Sequence, residues 1–196
     1  MKTIARLVPL ILLCAPTSLA SAAEQEAILN FVPSRTTVNF TLGDVLHTVH
    51  GKFDLKCGQI HFSPANNAIG GKIVVDAASG SSGSTARDRN MHRDILESAR
   101  YPEITFRPDR VEGNVSLNGA STVQVHGVFG MHSAEHEITV PAQVELAPDH
   151  WSLTVRFAVP YVKWKLKDPS TFLLRVEKTV VIDLHASGPS PWVAQP

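Results

Sequence analysis

The chain predicts an all-β, antiparallel protein of about eight strands with one short helix, and three observations carry that prediction. Apolar and polar residues alternate through almost every segment beyond the N-terminal leader, the period of a strand with one buried face. Turn residues punctuate these segments at hairpin-like spacing, as at Pro64-Ala65-Asn66-Asn67, Gly119-Ala120 and Pro148-Asp149. Only one stretch, after Ser84, has helical four-residue spacing. A sandwich and a closed barrel both satisfy this pattern, and alternation alone does not separate them.

The first 22 residues read as a secretory signal. Lys2 and Arg6 form its positive end, Leu7 to Leu13 its apolar run and Ala20-Ser21-Ala22 a small-residue cleavage site. That run is far shorter than the roughly 20 residues a spanning helix needs. Cys14 offers a lipidation site, but Leu13 stands where acylation signals place a small residue. The expectation is therefore an exported protein, periplasmic or secreted, whose mature chain starts near Ala23.

Strands follow in order. Phe40 and Leu42 alternate into Gly43; Phe53 with Leu55, and Ile60 with Phe62, mark two more; Ile73 and Val75 lie on another. Ser81, Ser82, Gly83, Ser84 and Thr85 then break the strand and offer hydroxyls to cap a helix. Met91 with Ile95, and His92 with Leu96, give that helix a narrow apolar face until Tyr101-Pro102 stops it. Ile104 and Phe106 resume strand alternation. Val123, Val125 and Phe129 share one strand face, and the same reading covers 140–146, 153–159 and 180–184. Two prolines after Gly188 predict a disordered tail over 189–196.

Charge and cysteine content narrow the function. Cleavage removes Lys2 and Arg6 but no acid, so the formal charge moves from zero to −2. Without a basic excess the chain is not expected to bind nucleic acid, which is held largely through phosphate neutralisation. The residues left, 23–188 with the tail, suit one domain with a real core. Of two cysteines only Cys57 survives cleavage, which excludes an intramolecular disulfide; it reads as a small buried apolar residue. No nucleophile elbow and no phosphate-binding glycine loop is present, and no catalytic residue or cofactor is assigned.

Several segments stand together in a recognisable order. The first is His47-Thr48-Val49-His50-Gly51-Lys52-Phe53 with Gly58-Gln59-Ile60-His61-Phe62. The most specific is Arg87-Asp88, Met91-His92, Leu96-Glu97-Ser98, Tyr101-Pro102 and Thr105-Phe106. Later come Asn118-Gly119, Val123-Val125-Gly127 and the strand from Pro141. Taken together, these segments resemble the YceI-like polyisoprenoid-binding family. The resemblance implies a lipocalin-like antiparallel β-barrel holding an isoprenoid or similar lipid, and no catalytic machinery. Val159 to Ser170 departs from the commoner family form, which has a simpler glycine-containing turn, and resembles an insertion at the barrel mouth.

An apolar ligand requires inward side chains that leave the interior unfilled. Phe40, Phe53, Phe62, Phe106, Val125, Phe129, Phe157 and Ile182 lie on the apolar faces of their strands and are the candidate wall. The competing reading is that they fill an ordinary core. Arg87, Asp88, His92 and Trp164 are candidates for the mouth or for a ligand's head group; alternatively Arg87 and Asp88 pair to fix the loop. Tyr161 and Trp164 among Lys163, Lys165 and Lys167 form an amphipathic cluster suited to transient membrane-surface contact. His47, His50, His132 and His136 form an alternative, metal-binding constellation, which would make the protein a periplasmic metal or stress-protection module. Self-association into a homodimer is left open.

Overall fold

The computed structural model describes residues 26–43, 48–171 and 175–192. The expected signal peptide and His47 lie outside these residues. Nine strands form one antiparallel sheet: β1 (Ala27–Phe31), β2 (Thr36–Gly43), β3 (Thr48–Ser63), β4 (Ala68–Ser81), β5 (Glu103–Glu112), β6 (Gly119–Met131), β7 (Ala134–Leu146), β8 (His150–Val159) and β9 (Val180–Pro189). β2 to β9 pair in sequence, and β9 returns to β2, so eight strands close a barrel-like ring. Closure settles the alternative left open by alternation, and it removes sheet edges. Helix α1 (Thr85–Asn90) continues as a π-helical turn over Met91–Ile95 between β4 and β5.

β3 differs instructively from expectation. Phe53 with Leu55 and Ile60 with Phe62 have opposite parity, which reads as two strands; they lie on one strand of 16 residues. Irregularities between Lys52 and Asp54, and between Leu55 and Cys57, shift the register against β4, so both apolar sets reach the inside. The same shift leaves Cys57 exposed, correcting the expectation that it is buried.

The wall's lower end is sealed by β1. A 3₁₀ turn at Pro33–Arg35 separates β1 from β2, and β1 pairs with the second half of β3. On its other side the Ile28 N–H donates to the Pro191 carbonyl at 2.7 Å, and Ala27 bridges Trp192. Pro191 is fully buried, so the chain is ordered at least to Trp192 rather than disordered from 189. Proline lacks a donor but keeps its carbonyl, and that acceptor suffices here.

Two apolar clusters occupy the two ends of the ring. At the floor, Phe31 and Trp151 lie 5.1 Å apart among Leu29, Leu146 and Ile60. At the opposite end, Phe129, Met131, Val159, Tyr161, Leu166 and Leu96 pack together beneath the helix and the 160–166 turn.

Candidate functional site

Between the clusters lies a cavity of about 880 Å³. Its wall is made by the inward positions of all nine strands, and Ile104, Val125, Ile138, Leu153, Val155, Phe157 and Ile182 are only half-buried although they face inward. In a packed interior such residues would be covered by neighbours at close-packed density. Here their exposed surface faces the hollow. All eight residues expected on the wall lie there: Phe40, Phe53, Phe62, Phe106, Val125, Phe129, Phe157 and Ile182.

Aromatic rings line the bore without filling it because three of them, Phe40, Phe53 and Phe106, lie over glycines, and a β-carbon at Gly80 would fall 2.5 Å from the Phe53 ring. A β-carbon at Gly51, the β3 partner of Phe40, would fall 2.2 Å from the Phe40 ring. One at Gly127 would fall 2.9 Å from Phe106 on the neighbouring strand. Each glycine lets a ring approach the backbone that a side chain would hold away.

The mouth is polar and is built by α1 with its π turn on one side and residues 167–171 on the other. Arg87 Nε donates to Ser82 Oγ at 2.7 Å and its terminal nitrogen to the Ser82 carbonyl at 3.0 Å. The Asp88 carboxylate accepts the Ser82 N–H at 2.8 Å and its hydroxyl at 2.5 Å. Arg87 and Asp88 are thus joined through Ser82, and Arg87 still reaches the cavity lip whereas Asp88 does not. Burial opposes ionisation of Asp88, but the Ser82 and Ser81 bonds with Arg87's charge outweigh it and hold its carboxyl below the usual range. Of the hydroxyl residues expected to cap the helix, Ser84 takes the position but makes no side-chain cap; its carbonyl accepts from the Asp88 N–H at 2.8 Å.

Across the mouth, Lys167 Nζ approaches Asp94 at 3.8 Å, and Lys178 approaches Asp168 at the same distance. The Arg93 bond dominates in holding Asp94's carboxyl below its usual range; for Asp168 the Ser170 bonds dominate. Tyr161 is buried and donates from its hydroxyl to the Glu177 carbonyl at 2.7 Å. Burial, with Asp168's charge added, pushes its phenol up to about 12.

Like Asp88, the mouth candidates His92 and Trp164 lie off the cavity wall. His92 is structural: its ring nitrogens face Gly80 O at 2.8 Å and Ser98 Oγ at 3.1 Å, which ties the π turn to β4. Trp164 is not on the cavity wall. The Pro160–Leu166 turn, with Lys165 in the left-handed region, folds the indole onto Phe129 at 5.6 Å and stacks it on His136 at 3.9 Å. Leu166 of the same turn lines the cavity in its place.

The described histidines of that constellation, His50, His132 and His136, do not converge. His50 pairs with Thr41, His132 with Glu97 and the Tyr101 ring, and His136 with Trp164, where burial lowers its basicity. Among the described residues no group of three or more His, Cys, Asp or Glu side chains is placed to hold a metal ion.

The sequence reading puts 159–170 at the mouth without making Lys167, Asp168 or Ser170 ligand candidates, and it does not pick out Asn90 and Asp94 opposite them. They come from segments about 75 residues apart, with no periodicity to link them. Leu153, Val155 and Leu184 were legible from strand parity, and they line the bore.

An eight-stranded antiparallel ring around an apolar hollow, with a polar lip at one end, defines a calyx-like binding barrel. Residues 29–187 match the YceI-like domain model, and the chain belongs to that family. Solved structures of the same fold include BcnA of Burkholderia cenocepacia, at 16% identity and a TM-score of 0.68 over 81% of this chain and 99% of that one. A polyisoprenoid binding domain from Saccharophagus degradans, implicated in plant cell wall breakdown, aligns at 15% identity and 0.62 over 84% and 99%. The YCEI protein of Campylobacter jejuni aligns at 15% and 0.62 over 74% and 86%. No curated protein matches the chain in sequence.

Proposed function

We propose that this protein binds an isoprenoid or other long apolar molecule inside the barrel, with its polar end at the mouth, and that it does so outside the cytoplasm as a carrier or store. The carrying observation is the hollow itself. An unfilled void of 880 Å³ would, at about 24 cal/mol per Å³, cost on the order of 20 kcal/mol, more than the usual 5–15 kcal/mol stability of a domain. Such a bore is therefore a place for an occupant or for solvent, and its apolar wall favours the former. At about 30 Å³ per heavy atom it accepts roughly thirty heavy atoms, on the order of six isoprene units.

Burial of a hydrocarbon tail supplies affinity at about 25 cal/mol per Å² of apolar surface, and Arg87, Asn90, Ser84 and Ser170, which line the mouth, would meet a polar head. The family membership and the neighbouring polyisoprenoid binding domain support this reading. The protein holds its ligand without chemical change, and transient membrane contact is how it would load. Titration of delipidated protein with a fluorescent prenyl probe tests it: saturable one-to-one uptake, displaced by unlabelled prenyl alcohol, is expected, and absence of saturable uptake would refute it.

A further inference from the structure

The charges of the two segments that build the mouth are sorted by exposure; beside them the exposed acid Glu177, against Gly43 at the cavity edge, is flanked by the exposed Arg175 and Lys178. Arg87, Arg89 and Arg93 on the helix, and Lys163, Lys165 and Lys167 on the 160–171 segment, are all exposed. The acids among them, Asp88, Asp94 and Asp168, are half-buried, and each is already engaged by Ser82, Arg93 or Ser170. These two segments therefore carry a net charge of +3 with the cations outermost. Without Lys2 and Arg6 the formal charge is −2, so the mature chain outside these two segments, which hold +3, carries −5. A cationic lip around an apolar bore on an otherwise acidic molecule has an orientation-dependent field.

We infer that the lip formed by residues 85–95 and 160–168 docks on an anionic lipid bilayer, turning the open bore toward the membrane. The inference rests on the cargo-binding reading for its purpose, but its physical basis is separate. Each basic side chain near an anionic surface contributes about fivefold in binding, so a net +3 lip gives on the order of a hundredfold preference for anionic over neutral vesicles at low salt. Acids elsewhere on the barrel would repel the same surface, which selects the mouth-down orientation. Attraction of this kind weakens as the screening length shrinks toward about 8 Å at physiological ionic strength. Contact is thus transient, suited to exchange of cargo rather than residence.

The test is sedimentation of the mature protein with vesicles of phosphatidylcholine alone or containing phosphatidylglycerol. The double variant Arg89→Glu with Lys163→Glu takes the lip from +3 to −1 and touches no cavity-lining side chain. The control Arg35→Glu with Lys72→Glu makes the same change in net charge at exposed positions away from the lip. Expected results are anionic preference in the wild type, retention in the control and loss in the lip variant. Equal partitioning to both vesicle types, equal loss in the control, or no vesicle binding at low salt would overturn the inference, the last leaving an acidic protein as the partner such a lip fits. Prenyl-probe uptake measured in solution on the same variants separates the two readings. Unchanged uptake with lost docking is the expected split; no uptake by any variant refutes cargo binding alone.

Discussion

Replacing Val125 by tryptophan distinguishes a hollow barrel from a filled one. Val125 lies on β6 two residues from the floor residue Val123, faces Val111 and Val140 across the ladder, and is only half-buried because its outer surface borders the hollow. The exchange adds about seven heavy atoms, on the order of 200 Å³ at about 30 Å³ each, roughly a quarter of the 880 Å³ bore. If the interior were already filled, such overpacking would cost about 1–3 kcal/mol or more and lower the melting temperature by several degrees. In a hollow the indole buries apolar surface, and the melting temperature of the ligand-free protein holds or rises. The ligand loses what the indole takes: seven atoms at about 0.8 kcal/mol each amount to about 5.6 kcal/mol, about four orders of magnitude in Kd for a tail that reaches the floor.

Chain length provides the assay. Calorimetric titration with a series of prenyl alcohols should show wild-type affinity rising with each added unit until the bore is full. In Val125→Trp the rise stops earlier, while short tails seated near the mouth bind as before. A superimposable length profile in the two proteins, or a destabilised ligand-free variant, would refute the reasoning.

Two further outcomes are expected. Asp88→Ala removes the acceptor that orders Ser82 and leaves its N–H and Arg87 without their bridge, so stability falls by about 1–3 kcal/mol in chemical denaturation. The carboxyl's depressed pKa makes that contribution complete above about pH 4 and lost as pH falls through the folded-state value, so the difference from wild type should shrink below pH 4. Tyr161→Phe tests the alkaline limb. With the phenol at 10.0 unfolded and about 12 folded, the native state binds more protons between these values; wild-type stability drops by about 2–3 kcal/mol from pH 10 to 12, a loss the phenylalanine variant lacks.

Strand parity made most of the barrel legible, because one face of every strand meets the interior and the other meets water. All eight wall residues chosen on that basis line the bore. Parity fails where the backbone changes it: the bulged β3 reads as two strands, and Cys57 at the irregularity reads as buried when it is exposed. Up to Trp192 the tail pairs with β1, because proline's missing donor leaves its carbonyl free to accept, as Pro191's does. The mouth was legible only in part. Arg87 is there, but His92 is consumed by Gly80 and Ser98, and Trp164 turns onto His136, contacts set by tertiary folding of two distant segments. Whether the ring of strands encloses a void or a packed core depends on side-chain volumes summed over nine strands, and on glycines beneath Phe40 and Phe106 that no local pattern links to those rings.

Extraction of the protein purified without detergent from its native host, followed by mass spectrometry of the organic phase, tests the central claim most directly. A stoichiometric apolar lipid of about six isoprene units or comparable length, absent from an equally treated Val125→Trp preparation, is the result expected. Protein that carries no lipid, and that after delipidation takes up none, would contradict it.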